Sequence, residues 1–140
     1  MTPDTHPQDL IARFPGADRT GFGDGPELSA RLLDLIRTGR KTATCGAFDP
    51  DGDPVPRPGD ICIADDWDGR PALAYRVTHA EVLRFDEVSA DFALAEGEGD
   101  YAQWRAAHEA FFARTCGFDP AMKVVCERFE LIATADDLKG

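Results

Sequence analysis

Apolar residues recur along this chain with two different periods. Leu28, Leu32, Leu35 and Ile36 fall at i, i+4, i+7 and i+8, the one-sided stripe of an amphipathic helix. Pro26 suits the first turn of that helix, and Gly39 can take the left-handed conformation that ends it. A shorter helix is predicted over Asp9 to Phe14, stopped by Pro15-Gly16, behind a frayed tail at 1–7. Lys41 to Phe48 reads as a strand and Asp60 to Ala64 as a second. Pro71 to Phe85 reads as a long third strand, in which Leu73, Tyr75 and Val77 alternate. The alternation loses phase near His79-Ala80, which predicts a bend or bulge. Asp65-Asp66-Trp67-Asp68-Gly69-Arg70 carries the Asp-Gly hairpin signal. Four prolines between Asp49 and Gly59 predict a stiff loop, which is either a solvated excursion or functional.

The helical period returns over Asp86 to Leu94, with Val88 and Phe92 on one face. Ala95-Glu96-Gly97-Glu98-Gly99-Asp100 interrupts it. Asp100 and Gln103 then have the spacing of a capping box, opening a helix whose buried stripe is Tyr101, Trp104, His108 and Phe111 and which Gly117 ends. Lys123 to Ile132 is the last strand, followed by a polar tail at 133–140. Helices, short strands, helices and a final strand, with no βαβ alternation or repeat, predict the α+β class: a small, mostly antiparallel β-barrel flanked by helices.

At 140 residues the chain is long enough for one domain with a real core. It contains no apolar run of the ~18 residues that a membrane span needs. Met1 to Gln8 lacks the apolar core of a signal peptide, so a cytoplasmic protein is expected. Twenty-six acidic against fifteen basic side chains give a net charge of −11, which opposes binding to long duplex DNA or RNA. Within 28–48 the balance reverses: Arg31, Arg37, Arg40 and Lys41 face only Asp34. A cationic pocket on an acidic body suits a small anionic or polar ligand. The four cysteines have no C-x-x-C spacing and the three histidines form no ligand pair, so no bound metal and no cofactor are expected.

Four groups of residues could carry chemistry. The first is Gly39-Arg40-Lys41-Thr42-Ala43-Thr44, where two cations and two hydroxyls meet at a helix-to-strand junction. Crowding by Arg40 in a partly dry site would favour the neutral amine of Lys41, and lysine with a hydroxyl is a known base–nucleophile pair. The bland alternative is two cations complementing a helix C-terminus. On an ideal strand Lys41 and Thr44 would face opposite ways, so they share a side only if a helical turn persists at the strand entry. The second is Glu96-Gly97-Glu98-Gly99-Asp100, where capping explains Asp100 but not Glu96 or Glu98. The third is Glu127-Arg128: alternation puts Glu127 on the face of Val125, Phe129 and Leu131, where a carboxylate must be paired or line a cavity. The fourth is Tyr101, Trp104, Arg105 and His108, which are either core or a platform for a base.

Phe22-Gly23-Asp24-Gly25-Pro26-Glu27-Leu28, Gly39-Arg40-Lys41-Thr42-Ala43-Thr44, Pro58-Gly59-Asp60, Glu96-Gly97-Glu98-Gly99-Asp100, Trp104-Arg105, His108, Phe111-Phe112 and Val124-Val125-Cys126-Glu127-Arg128-Phe129 occur in this order. Together they resemble the ASCH domain family, of PUA-like fold, over 22–132, leaving 1–21 as an N-terminal extension and 133–140 as a C-terminal tail. The resemblance implies a barrel with a helix-flanked cleft for RNA or modified nucleosides. Small bacterial members remove acyl groups from N4-acetylcytidine with a lysine and a threonine of the Gly-x-Lys-Thr-x-Thr motif and a later glutamate. Those positions fall on Lys41, Thr44 and Glu96, with Glu98 also available for the last. Members nearer this length are metal-independent ribonucleases dependent on the same lysine. Three functions therefore stand open: deacylation of N4-acylcytidines, with Lys41 taking the Thr44 proton; cleavage of single-stranded RNA; and binding without catalysis. Arg40, Thr42, Glu98, Trp104, Arg105, Glu127 and Arg128 are the expected substrate contacts, and the expected partner is a nucleoside or single-stranded RNA.

Overall fold

A computed structural model describes residues 8–135, and both the tail read at 1–7 and residues 136–140 lie outside it. The elements in order are α1 (Gln8–Arg13), β1 (Asp18–Gly21), α2 (Pro26–Arg37), β2 (Ala43–Ala47), β3 (Ile61–Asp65), β4 (Pro71–Arg84), a 3₁₀ turn (Phe85–Glu87), α3 (Ala90–Ala95), α4 (Tyr101–Thr115) and β5 (Lys123–Thr134). The strands form one mixed sheet in the order β1-β3-β4-β5-β2, antiparallel except for the parallel β1–β3 pair. This is the mostly antiparallel, helix-flanked arrangement that the sequence predicts, curled into a half-barrel.

Several boundaries differ from expectation for local reasons. β1 lies in the stretch read as an N-terminal extension. Its sequence, Asp18-Arg19-Thr20-Gly21, has no apolar alternation, because it is an exposed edge strand held by backbone pairing and by Arg19 to Asp65 at 2.7 Å. In the same stretch Leu10 of α1 is fully buried against Ile63, Ala74 and Ala133. β5 continues through Ala133 and Thr134, which were expected in the tail. Asp86 and Glu87 belong to the 3₁₀ turn, and α3 starts only after Ser89, whose hydroxyl accepts from the Phe92 N–H. The proline-rich loop is mainly solvated, with Val55 and Pro56 half-buried, and the Gly59 N–H anchors its end to the Val77 carbonyl.

The bulge falls where the alternation fails. Val77 pairs with Phe129 and His79 with Arg128, so Thr78 is the extra residue. One face of the sheet before the bulge, with Tyr75, Val77 and Phe129, packs against Leu32, Leu33 and Ile36 of α2. Beyond it the phase is shifted, and Ala80 rather than His79 stands opposite Glu127. A second core joins Phe92 of α3 with Trp104 and Phe112 of α4, over Ala43, Val124 and Cys126. None of the described helices is long and apolar enough to cross a membrane.

Candidate active site

The junction between α2 and β2 sets the position of Lys41. Gly39 takes φ 81°, closing α2, and the N–H groups of Arg40 and Lys41 both donate to the Leu35 carbonyl. Thr42 is then pinned from two sides: its N–H donates to Ala95 O at 2.8 Å, and its carbonyl accepts from Phe129 N at 3.0 Å. Lys41 therefore precedes the strand instead of belonging to it, and its side chain turns inward while Arg40 and Thr42 remain exposed. This resolves the facing problem, since Lys41 and Thr44 line the same cavity.

Lys41 is only 2% exposed and Glu96 1%. The ammonium donates to Glu96 Oε1 at 2.9 Å and to the Ala43 carbonyl at 2.8 Å. Trp104 Nε1 donates to the other carboxylate oxygen at 2.7 Å, and His108 Nε2 lies 3.4 Å from it. Glu96 reaches this position because α3 ends against the junction. Gly97, at φ 76°, brings its Cα so near Arg40 that a Cβ there would stand 2.5 Å from the Arg40 carbonyl oxygen. Trp104 is itself stacked between Phe85, at 5.3 Å, and His108, at 4.5 Å.

Burial pushes the Glu96 carboxyl up, but the Lys41 charge, His108 and the Trp104 N–H outweigh it and hold it below the ordinary 4.5. Burial likewise pushes His108 down, yet its bond to Glu96, the Glu96 charge and the Trp104 carbonyl raise it above 6.5. Geometry explains the sign. Nδ1 lies 2.9 Å from the Trp104 carbonyl and must carry a proton, so a neutral ring would aim a lone pair at the Glu96 carboxylate.

These shifts predict a pH window. The lowered Glu96 contributes stability that is present above 4.5 and lost as pH falls through its folded value. The raised His108 contributes stability that is fully present below 6.5 and lost as pH rises through its folded value. Thermal unfolding of the wild type and His108→Gln across pH should therefore show their largest difference between 4.5 and 6.5, shrinking at higher pH. A difference that is flat with pH would refute the coupling.

The cavity has a volume of about 480 Å³. It lies between β1 (Thr20, Gly21) and β2 (Thr44, Cys45, Gly46), the two ends of the strand order. Phe22, Tyr75 and Phe111 supply aromatic wall, and Lys41, Thr44, Glu96, Glu98, His108 and Glu127 supply the polar groups. Arg31 and Arg114 also line it, Arg114 being held by Asp24 at 2.7 Å. Of the residues singled out in the sequence, Lys41, Thr44, Glu96, Glu98 and Glu127 thus meet at one cavity. Arg40, Thr42, Trp104, Arg105 and Arg128 do not line it. Trp104 is buried beneath Glu96, Arg105 pairs with Glu109 on the solvent side of α4, and Arg128 reaches Asp91 and the Phe92 ring. His108, read from the sequence as core or as part of a platform for a base, also lines the cavity and belongs to its polar cluster.

Glu96, Glu98 and His108 offer ligand atoms within 4.8 Å of one another. Glu96, however, already binds Lys41 with one oxygen and Trp104 with the other, so a cation would have to displace a buried ammonium. Cys45 does not offer a nucleophile. Its hydrogen bond to Cys126, its cross-strand partner, and its burial push the thiol far above neutrality.

A family model described as ASCH domain matches residues 18–133. Among solved structures, the chain is similar to a protein from Enterococcus faecalis at 30% identity and a TM-score of 0.81, covering 93% of this chain and 87% of that one. It is also similar to an ASCH domain from Lactobacillus crispatus at 28% identity and a TM-score of 0.76, covering 90% and 86%. No curated protein matches it.

Proposed function

The chain belongs to the ASCH domain family, whose members are associated with RNA binding, and from that premise we propose that it hydrolyses the acyl amide of N4-acylated cytidines. The observation that carries this reading is one cavity wall bearing a threonine hydroxyl and a lysine ammonium, the lysine fixed by a buried carboxylate. Thr44 attacks the acyl carbonyl. Lys41 has two of its three N–H groups engaged by Ala43 and Glu96, which leaves the third for the developing oxyanion. Lys41 so placed supplies charge instead of taking the Thr44 proton, because its partner at 2.9 Å is the buried Glu96 carboxylate, whose charge an ammonium balances and a neutral amine does not. Glu96 holds it there, and Trp104 holds Glu96.

The size of the cavity and the acidic body favour a nucleoside over a long strand. A volume of about 480 Å³ lies within the usual range of small-molecule sites, and a net charge of −11 offers no extended basic track. Hydrolysis of N4-acetylcytidine, followed by ultraviolet absorbance, tests the reading. The wild type is expected to turn over, and Thr44→Val to lose roughly 10³-fold or more in kcat, as nucleophile removal does elsewhere. A wild type that leaves the substrate intact refutes it. Lysine-dependent cleavage of single-stranded RNA in EDTA would identify a ribonuclease instead.

A further inference from the structure

Thr44 must lose a proton as it attacks, and the lysine beside it is engaged as a donor. Glu127 is one of three acids that line the cavity, with Glu96 and Glu98, and the one paired across the sheet with Thr44. It is the cross-strand partner of Thr44, with the two Cα atoms paired between β2 and β5. Paired residues point to the same side of a sheet, with Cβ atoms about 5 Å apart. Both line the cavity. Glu127 Oε1 is shut off from bulk solvent and is the single such buried side-chain oxygen or nitrogen, among the described residues, without a hydrogen-bond partner. A buried carboxylate oxygen left without a donor is costly, and a fold tolerates it where it serves a ligand or a reaction. Its neighbour across β4 is Ala80, placed there by the Thr78 bulge, and this alanine offers the carboxylate no side-chain hydrogen-bond donor.

We propose that Glu127 is the general base that takes the Thr44 proton and returns it to the leaving amine, an inference that rests on the deacylase reading above. In the first half-reaction the Thr44 Oγ–C bond forms, the hydroxyl proton passes to the Glu127 carboxylate, and the carbonyl electrons move onto the oxygen facing Lys41. Collapse of this intermediate breaks the C–N bond. The exocyclic nitrogen takes the proton from Glu127 and leaves as the free amine of cytidine. In the second half-reaction a water attacks the acyl-Thr44 ester. Glu127 accepts the water's proton and returns it to Thr44 Oγ, releasing the carboxylic acid. The sum is amide plus water to acid plus amine.

Charge around Glu127 fits the role. Burial and the nearby Asp60 raise its carboxyl above the ordinary 4.5, and Lys41 offsets them only in part. Cys62 and Tyr75 also face it, and burial pushes both up, so they stay neutral. A base raised in this way binds a proton more readily than an exposed carboxylate.

The experiment is the same hydrolysis assay on the full chain, with wild type, Glu127→Gln and Glu127→Asp, read as kcat and KM across pH and paired with thermal unfolding. Glu127→Gln should lose about 10²- to 10⁴-fold in kcat, the usual contribution of a general base, with KM changed little. Its melting temperature at neutral pH should equal or exceed that of the wild type, because the folded carboxylate is held in an unfavourable environment. The wild-type kcat/KM profile should fall on an acidic limb above 4.5, which shifts in Glu127→Asp. A Glu127→Gln enzyme within threefold of a working wild type overturns this inference and leaves the deacylase reading standing. A Glu127→Gln protein that loses activity together with several degrees of melting temperature also overturns it, since a structural role explains that pattern. A wild type without turnover overturns both.

Discussion

Lys41→Met is expected to abolish hydrolysis and to destabilise the fold by about 3–5 kcal/mol, the usual cost of leaving one partner of a buried ion pair alone. Lys41 and Glu96 are 2% and 1% exposed, so neither can turn to solvent when its partner is lost. The two consequences can be separated. Lys41→Met combined with Glu96→Gln removes both charges and keeps an amide oxygen to accept from the Trp104 N–H, so no buried charge or donor is left alone. The double variant should regain most of the lost stability in urea titrations while remaining inactive. If the single variant unfolds at the wild-type urea midpoint, the pair does not organise this end of the molecule. If the double variant hydrolyses substrate, the ammonium is not part of the chemistry.

Trp104→Phe carries the second large effect. The substitution keeps an aromatic ring between Phe85 and His108 but removes the N–H that lies 2.7 Å from Glu96 Oε2. Losing a hydrogen bond to a charged group, together with the smaller ring, should cost about 2–4 kcal/mol. Trp104 does not line the cavity, so KM should change little while kcat falls, as the carboxylate that fixes Lys41 loses one of its tethers. The carboxyl pKa of Glu96 should also rise, since the Trp104 N–H helps to lower it. That can be read by carbon NMR on glutamate-labelled protein. An unchanged Glu96 titration would show that the indole is packing alone.

How much of this was legible in the sequence differs between elements. The α2–β2 junction announces itself, because glycine followed by cations and hydroxyls marks a helix end that the backbone then obeys. The bulge in β4 is equally plain, since a period of two cannot lose phase without an extra residue. Glu127 follows from alternation alone, which required a carboxylate on a core face to be paired or to line a cavity. What the pattern could not reveal was that Arg128, its sequence neighbour, reaches away to Asp91. β1 was invisible, because an exposed edge strand needs no apolar face. The roles of Trp104 and His108 were hidden for the opposite reason. A helical stripe looks the same whether its inner face meets hydrocarbon or a carboxylate, and only the close approach of Gly97 to Arg40 brings Glu96 beneath it.

The pocket occupies the gap where the curled sheet would otherwise close on itself, bordered on one side by Thr20 and Gly21 and on the other by Thr44 and Gly46. Borders of that kind are adjustable without touching the hydrophobic interior. Trimming Thr20 on the one rim, with Thr44 on the other kept as the nucleophile, should admit longer acyl chains while leaving the melting behaviour unchanged, so the range of substrates could drift or be engineered separately from the stability of the protein.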